Sequence, residues 1–160
     1  MRPQSLEYLL GLLKEMAKCE MTIAEFYHTC ADIWGEDKEF WLNLEQQEKN
    51  HAQNINKMAE LISEKHEHFE FHRPFNPIAM KTIISGIEDN INLLKDRRFS
   101  KENILFIALN IEQSLIEARY SEIVKTKDLE YRKLVEEVVN QTAEHKGLIE
   151  NAIAKIKNAE

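Results

Sequence analysis

A chain of 160 residues that is 43% hydrophobic and 31% charged has enough material for the core of a single domain, spanning residues 1–160, without disulfide staples. Four glycines and three prolines leave little for the many turns of a β protein, so the composition points to an all-α bundle. The net charge of -7 disfavours nucleic acid as a partner, and the longest apolar runs, such as ILFIAL, fall far short of the roughly 20 residues that cross a membrane.

The first long helix is expected from about Leu6 to Trp34, with Leu9, Leu13, Met16, Glu20, Ile23, Tyr27, Cys30 and Trp34 in four-and-three spacing. Its early run YLLGLL is flanked by Glu7 and Lys14 and continues into amphipathic helix, unlike a signal peptide, so a cytoplasmic location is the expectation. Cys19 and Cys30 stand about 16 Å apart along this helix, too far for a bridge within it. They form no CxxC pair, which excludes an appended rubredoxin-type iron site.

Gly35 ends the first helix, and Asp37 is a candidate cap for a second that runs to about Glu64. So short a connection predicts an antiparallel hairpin. On the second helix Trp41, Leu44, Glu48, His51, Ile55, Met58 and Ile62 share one stripe, so a carboxylate and an imidazole sit where apolar residues belong.

Periodicity breaks down in KHEHFEFHRPFNP, and residues 65–100 are expected to form a long crossover containing a short extra helix. Alternation of His66, His68 and His72 in an extended loop would allow an accessory metal site, against the plainer expectation of a solvated loop. Ser100 caps the third long helix, where Leu105, Ala108, Glu112, Leu115, Arg119 and Ile123 share a face. KTKD supplies a turn, and on the fourth helix Leu134, Val138, Gln141, His145, Leu148, Ala152 and Ile156 recur at helical spacing.

The polar intrusions repeat in order: Glu20 then His51 in the first hairpin, Glu112 then His145 in the second, at offsets of 92 and 94 residues. Two similar hairpins joined by a crossover bring all four to one level of a bundle. Glu48 and His51, three apart on one helix, can reach a common ion, with Glu20 from the paired helix completing the group. Leaving carboxylates unpaired in a core costs on the order of several kcal/mol, which a divalent cation offsets. Read from the residues alone, these positions mark a metal site, ancestral or working.

CEMTIAEFYHTCA and EFWLNLEQQEKNHAQNINKM resemble the first hairpin of rubrerythrin-like members of the ferritin-like superfamily, matching at Glu20, Tyr27, the EKNH of residues 48–51 and Ala52. The second hairpin is similar at Glu112 and His145 but departs from the family where a second E-x-x-H needs Glu: this chain has Thr142. The resemblance implies a ferritin-like antiparallel four-helix bundle whose metal ligands are Glu20, Glu48, His51, Glu112 and His145. It implies iron, one or two ions, with manganese or zinc as alternatives, and oxidation of Fe(II) by peroxide or dioxygen. Electrons for turnover would come from a separate donor protein, and pairing as a homodimer is an expectation of the same kind.

In the family the missing carboxylate commonly bridges two irons. Two divalent cations bring four positive charges against the three negative ones of Glu20, Glu48 and Glu112, so a second ion should be held less firmly. Glu144 points roughly 100° away from His145, and Gln141 offers only a neutral amide. Thr142 therefore keeps open a second reading, a bundle that has lost effective metal binding and serves as a structural or interaction module; iron storage in a hollow assembly is a third. Tyr27 and Tyr120 are candidates for radical or proton transfer beside a metal, or simply for hydrogen bonds to inward carboxylates. Arg119 either neutralises those carboxylates or snorkels to the surface, and Cys19 and Cys30 are read as core.

Overall fold

The computed structural model describes residues 3–72, 77–117 and 122–158. Five helices account for most of them: α1 (Pro3–Ile33), α2 (Lys38–Glu64), α3 (Pro77–Lys95), α4 (Lys101–Glu117) and α5 (Leu129–Lys157). Two three-residue strands, β1 (Phe69–Phe71) and β2 (Val124–Thr126), form an antiparallel ladder. None of the helices among the described residues is long and apolar enough to cross a membrane.

α1 packs against α2 and α3, α4 against α5, and α2 against α5. The expected stripes of the first two helices point inward: Leu9, Leu13, Met16, Ile23, Tyr27 and Cys30 of α1 meet Trp41, Leu44, Ile55, Met58 and Ile62 of α2, all buried. Trp34 closes the last turn of α1 by donating its N–H to the Cys30 carbonyl at 2.9 Å, and a single 3-10 turn over Gly35–Asp37 reverses the chain. Asp37 stands at the cap position of α2 without a side-chain cap bond; its carboxylate pairs instead with Lys101 of α4. Ser100 does cap α4, its Oγ accepting from the Asn103 N–H at 3.2 Å.

Four expectations need correction. Ile123, expected on the third helix, lies after the described end of α4 and directly before β2. The crossover helix α3 is 19 residues long rather than short, because Met80, Ile84, Ile87, Ile91 and Leu94 give it a complete apolar stripe to bury. The segment expected to turn at KTKD carries β2, whose Val124 and Thr126 pair with Phe71 and Phe69 of the crossover. Asp128, after that strand, caps α5 by accepting from the Tyr131 N–H at 2.9 Å. On α5 the buried face runs through Tyr131, Val135, Val138, Thr142, His145, Ile149 and Ile153, leaving Leu148 41% exposed. Two stripes share Val138 and His145; the one continued by Ile149 and Ile153 wins, and Gln141 moves to its margin.

Candidate metal centre

The five residues singled out as ligands come from four helices: Glu20 on α1, Glu48 and His51 on α2, Glu112 on α4 and His145 on α5. Each is 0% exposed. They form two groups, Glu20–Glu48–His51 and Glu48–Glu112–His145, in each of which one ligand atom per residue lies within 4.8 Å of the others. Glu48 belongs to both. Its Oε2 lies 3.0 Å from His51 Nδ1 and its Oε1 lies 2.8 Å from His145 Nδ1, so one carboxylate faces the two imidazoles with different oxygens. Glu20 Oε2 completes the first group at 3.9 Å from His51 Nδ1, and Glu112 Oε2 the second at 3.7 Å from His145 Nδ1. The imidazole rings stack with centroids 5.4 Å apart and planes 21° from parallel.

The outward nitrogens of those rings are held as well. His51 Nε2 lies 2.9 Å from the amide oxygen of Gln141, and His145 Nε2 lies 2.9 Å from the amide oxygen of Gln47. An amide oxygen only accepts, so Nε2 carries the proton in each ring. With a cation in the cluster, a neutral imidazole protonated there would present its lone pair at Nδ1, toward the ion. Gln141 is thus not the substitute ligand its stripe position allowed; it orients a histidine of another helix. Gln47 lies off the inward stripe of α2, although the two helices share the signal Q-x-x-x-H at Gln47/His51 and Gln141/His145.

Whether these groups suit a cation is decided by their unsatisfied atoms. Glu48 Oε1, Glu112 Oε2 and His145 Nδ1 are buried with no hydrogen bond of regular geometry, although Nδ1 stands 2.8 Å from Oε1 as an ion pair. Buried carboxylate oxygens without a regular hydrogen bond are costly, and here they converge with imidazole nitrogens in a donor set of the kind that binds divalent transition metals. The donor set fits, and the clusters could hold a metal ion.

Protonation reflects the same crowding. Burial alone raises the Glu48 carboxyl, but His145 and His51 outweigh it and bring its pKa down to about 2. Burial and the charge of Glu48 push Glu112 up to about 7. Burial lowers His145, yet Glu112 and Glu48 prevail and raise it to about 10. Without a cation, a proton on His145 offsets part of the carboxylate charge.

Beside this cluster, Tyr27 donates its hydroxyl to Glu112 Oε1 at 2.5 Å and stacks on Trp41 with centroids 5.9 Å apart, the hydrogen-bonding role expected of it. Burial, then the charge of Glu112, holds its phenol well above the usual range. Thr142 is buried, its hydroxyl turned back to the Val138 carbonyl at 2.9 Å, and Glu144 is exposed. Neither supplies a fourth carboxylate. Burial also raises the thiols of Cys19 and Cys30, which sit in the core. His66 and His68 are exposed on a 3-10 turn, each 3.7 Å from Glu67, and His72 is exposed after β1. Arg119 and Tyr120 lie outside the described residues, as does the side chain of Leu115.

Comparison with protein-family models, with curated proteins and with solved structures finds no match for this chain.

Proposed function

We propose that the chain is a rubrerythrin-like member of the ferritin-like superfamily, a four-helix bundle of α1, α2, α4 and α5 around a non-haem iron centre. Its function in this reading is oxidation of Fe(II) by peroxide or dioxygen, of peroxidase or ferroxidase type. The observation that carries the reading is Glu48, a fully buried carboxylate whose two oxygens face imidazoles from two different helices. Bound iron would supply the redox chemistry. The protein holds the donors in place: Glu20 and His51 on one side of Glu48, Glu112 and His145 on the other, with all five side chains closed off from solvent. Tyr27 fixes one oxygen of Glu112 and leaves Oε2 turned to the cluster. Turnover would draw electrons from a separate donor protein, and we place the protein in the cytoplasm, with a homodimer as its working form.

Thr142 favours a second reading, in which the bundle holds one ion or none and serves as a structural or interaction module. Its hydroxyl is committed to the helix backbone, so among the described residues three carboxylates would face the charge of two divalent cations. Anaerobic loading with Fe(II), followed by gel filtration and a count of metal per chain, separates the readings. About two ions per chain supports the di-iron centre, one supports a mononuclear site, and a value near zero removes the oxidoreductase. Peroxide or dioxygen added to loaded protein then tests oxidation itself. Light scattering tests the remaining possibility, iron storage, which needs a large hollow assembly.

A further inference from the structure

Two amides outside the ligand set bond to the ligand histidines, and they do so reciprocally. Gln47 precedes Glu48 on α2 yet bonds to His145 of α5; Gln141 precedes Thr142 on α5 yet bonds to His51 of α2. The second member of each pair, Gln141 for Gln47 and His145 for His51, lies 94 residues after the first, the same interval that separates Thr142 from Glu48. The duplicated pattern of the two hairpins therefore keeps the glutamine and the histidine, and loses only the carboxylate between them.

We propose that Gln47 and Gln141 are positioning residues of the metal centre: each fixes the ring and the Nε2–H tautomer of the histidine on the opposite helix, so that both Nδ1 atoms are presented to the cation. The inference rests on the metal-centre reading and adds residues to it. A histidine ring on a helix can rotate about two side-chain bonds and can carry its proton on either nitrogen. An acceptor 2.9 Å from Nε2 selects one orientation and one tautomer, the common arrangement for metal-bound histidines. A neutral amide does this without adding charge, whereas a carboxylate in the same place would make the imidazole more basic. The crossing also divides the work: Gln141 supports the Glu20–Glu48–His51 group and Gln47 the Glu48–Glu112–His145 group.

Zinc is the probe, because it is diamagnetic and redox-silent. Affinity for Zn(II) is measured by competition with a chromophoric chelator in the full-length protein and in Gln47→Leu, Gln141→Leu, Gln47→Glu and Gln141→Glu. Each leucine variant is expected to weaken binding roughly 10- to 100-fold, and each glutamate variant to restore it, since an acceptor at that point suffices. In the zinc-loaded wild type, nitrogen-15 NMR should show both histidines protonated at Nε2. Gln47→Leu should lose only the His145 Nε2–H signal to rapid exchange, and Gln141→Leu only that of His51. A general packing defect would not follow the crossed pairing or be rescued by glutamate. If a leucine variant does not fold, Gln47→Asn or Gln141→Asn, which keeps the amide but falls one methylene short, reads the same loss. Wild-type affinity retained in the leucine variants, or protonation at Nδ1 in the zinc-loaded protein, overturns this proposal and leaves the metal centre standing. Wild-type protein that takes up no zinc and no Fe(II) overturns both.

Discussion

Tyr27 of α1 and Glu112 of α4 share a 2.5 Å hydrogen bond between fully buried atoms, 85 residues apart in sequence. The bond satisfies one carboxylate oxygen and leaves the other to the cluster, so it joins helix packing to the geometry of the centre. Tyr27→Phe keeps the ring and its stacking on Trp41 but leaves Glu112 Oε1 without its donor. The metal-free variant should be less stable by about 1–3 kcal/mol in urea unfolding, the usual cost of orphaning a buried polar atom. An unchanged midpoint would mean that Glu112 finds another partner.

Because Glu48 faces both histidines while Glu20 and Glu112 each serve one group, amide substitutions should not be equivalent. Glu20→Gln and Glu112→Gln should each remove one metal-binding event and keep the other. Glu48→Gln, which keeps the side chain's size but replaces one oxygen with a donor, should weaken both. Equilibrium dialysis with Zn(II) reads the difference as sites lost per chain, and equal losses in all three variants would contradict a shared carboxylate.

The convergence of these buried polar residues was legible in the sequence because carboxylates and imidazoles on an inward face break an apolar periodicity. Glu20, Glu48, His51 and Glu112 each interrupt a stripe whose other described members are largely buried. What could not be read lies where periodicity carries no information. β1 and β2 are three residues each and pair across more than fifty residues of chain, a long-range register with no local signal. Gln47 sits beside the stripe, so a search for inward residues passes over it; its role is visible only once α5 is laid against α2. On α5 two stripes overlap at Val138 and His145, and periodicity alone does not choose between them.

Stability of the metal-free protein should depend on pH in a way that the metal reverses. His145 rises from 6.5 to about 10 and Glu112 from 4.5 to about 7. For a raised group the folded state holds the proton more tightly, so the contribution of Glu112 is complete below pH 4.5 and lost as pH climbs through 7. That of His145 is complete below pH 6.5 and lost as pH climbs through 10. Glu48, lowered from 4.5 to about 2, works oppositely: its contribution is present above pH 4.5 and lost as pH falls through 2. Unfolding midpoints of the metal-free protein should therefore peak in mildly acidic buffer and fall toward pH 9. A cation must displace the same protons, so Zn(II) affinity should increase from pH 6 to pH 8, with proton release visible as a dependence of the binding heat on buffer ionisation enthalpy. A flat affinity over that range would mean that the cation does not bind at these groups.

Thr142 is the point at which the two hairpins cease to match, and restoring the carboxylate there tests what its loss did. Thr142→Glu sets an acidic side chain three residues before His145, as Glu48 stands before His51. In the metal-free protein a fourth buried carboxylate meets three others, and the larger side chain replaces one that is 4% exposed. Stability should drop by about 3–5 kcal/mol, the usual range for an uncompensated buried charge. With metal the sign changes: four carboxylates balance two divalent cations, and the second ion should bind at least about tenfold more tightly than in the wild type. Thermal unfolding with and without Zn(II) measures both effects in one protein, the variant being less stable than wild type when empty and showing the larger gain when loaded. If added metal stabilises Thr142→Glu no more than wild type, the side chain at 142 does not reach the cluster, and among the described residues Glu20, Glu48 and Glu112 remain its carboxylates.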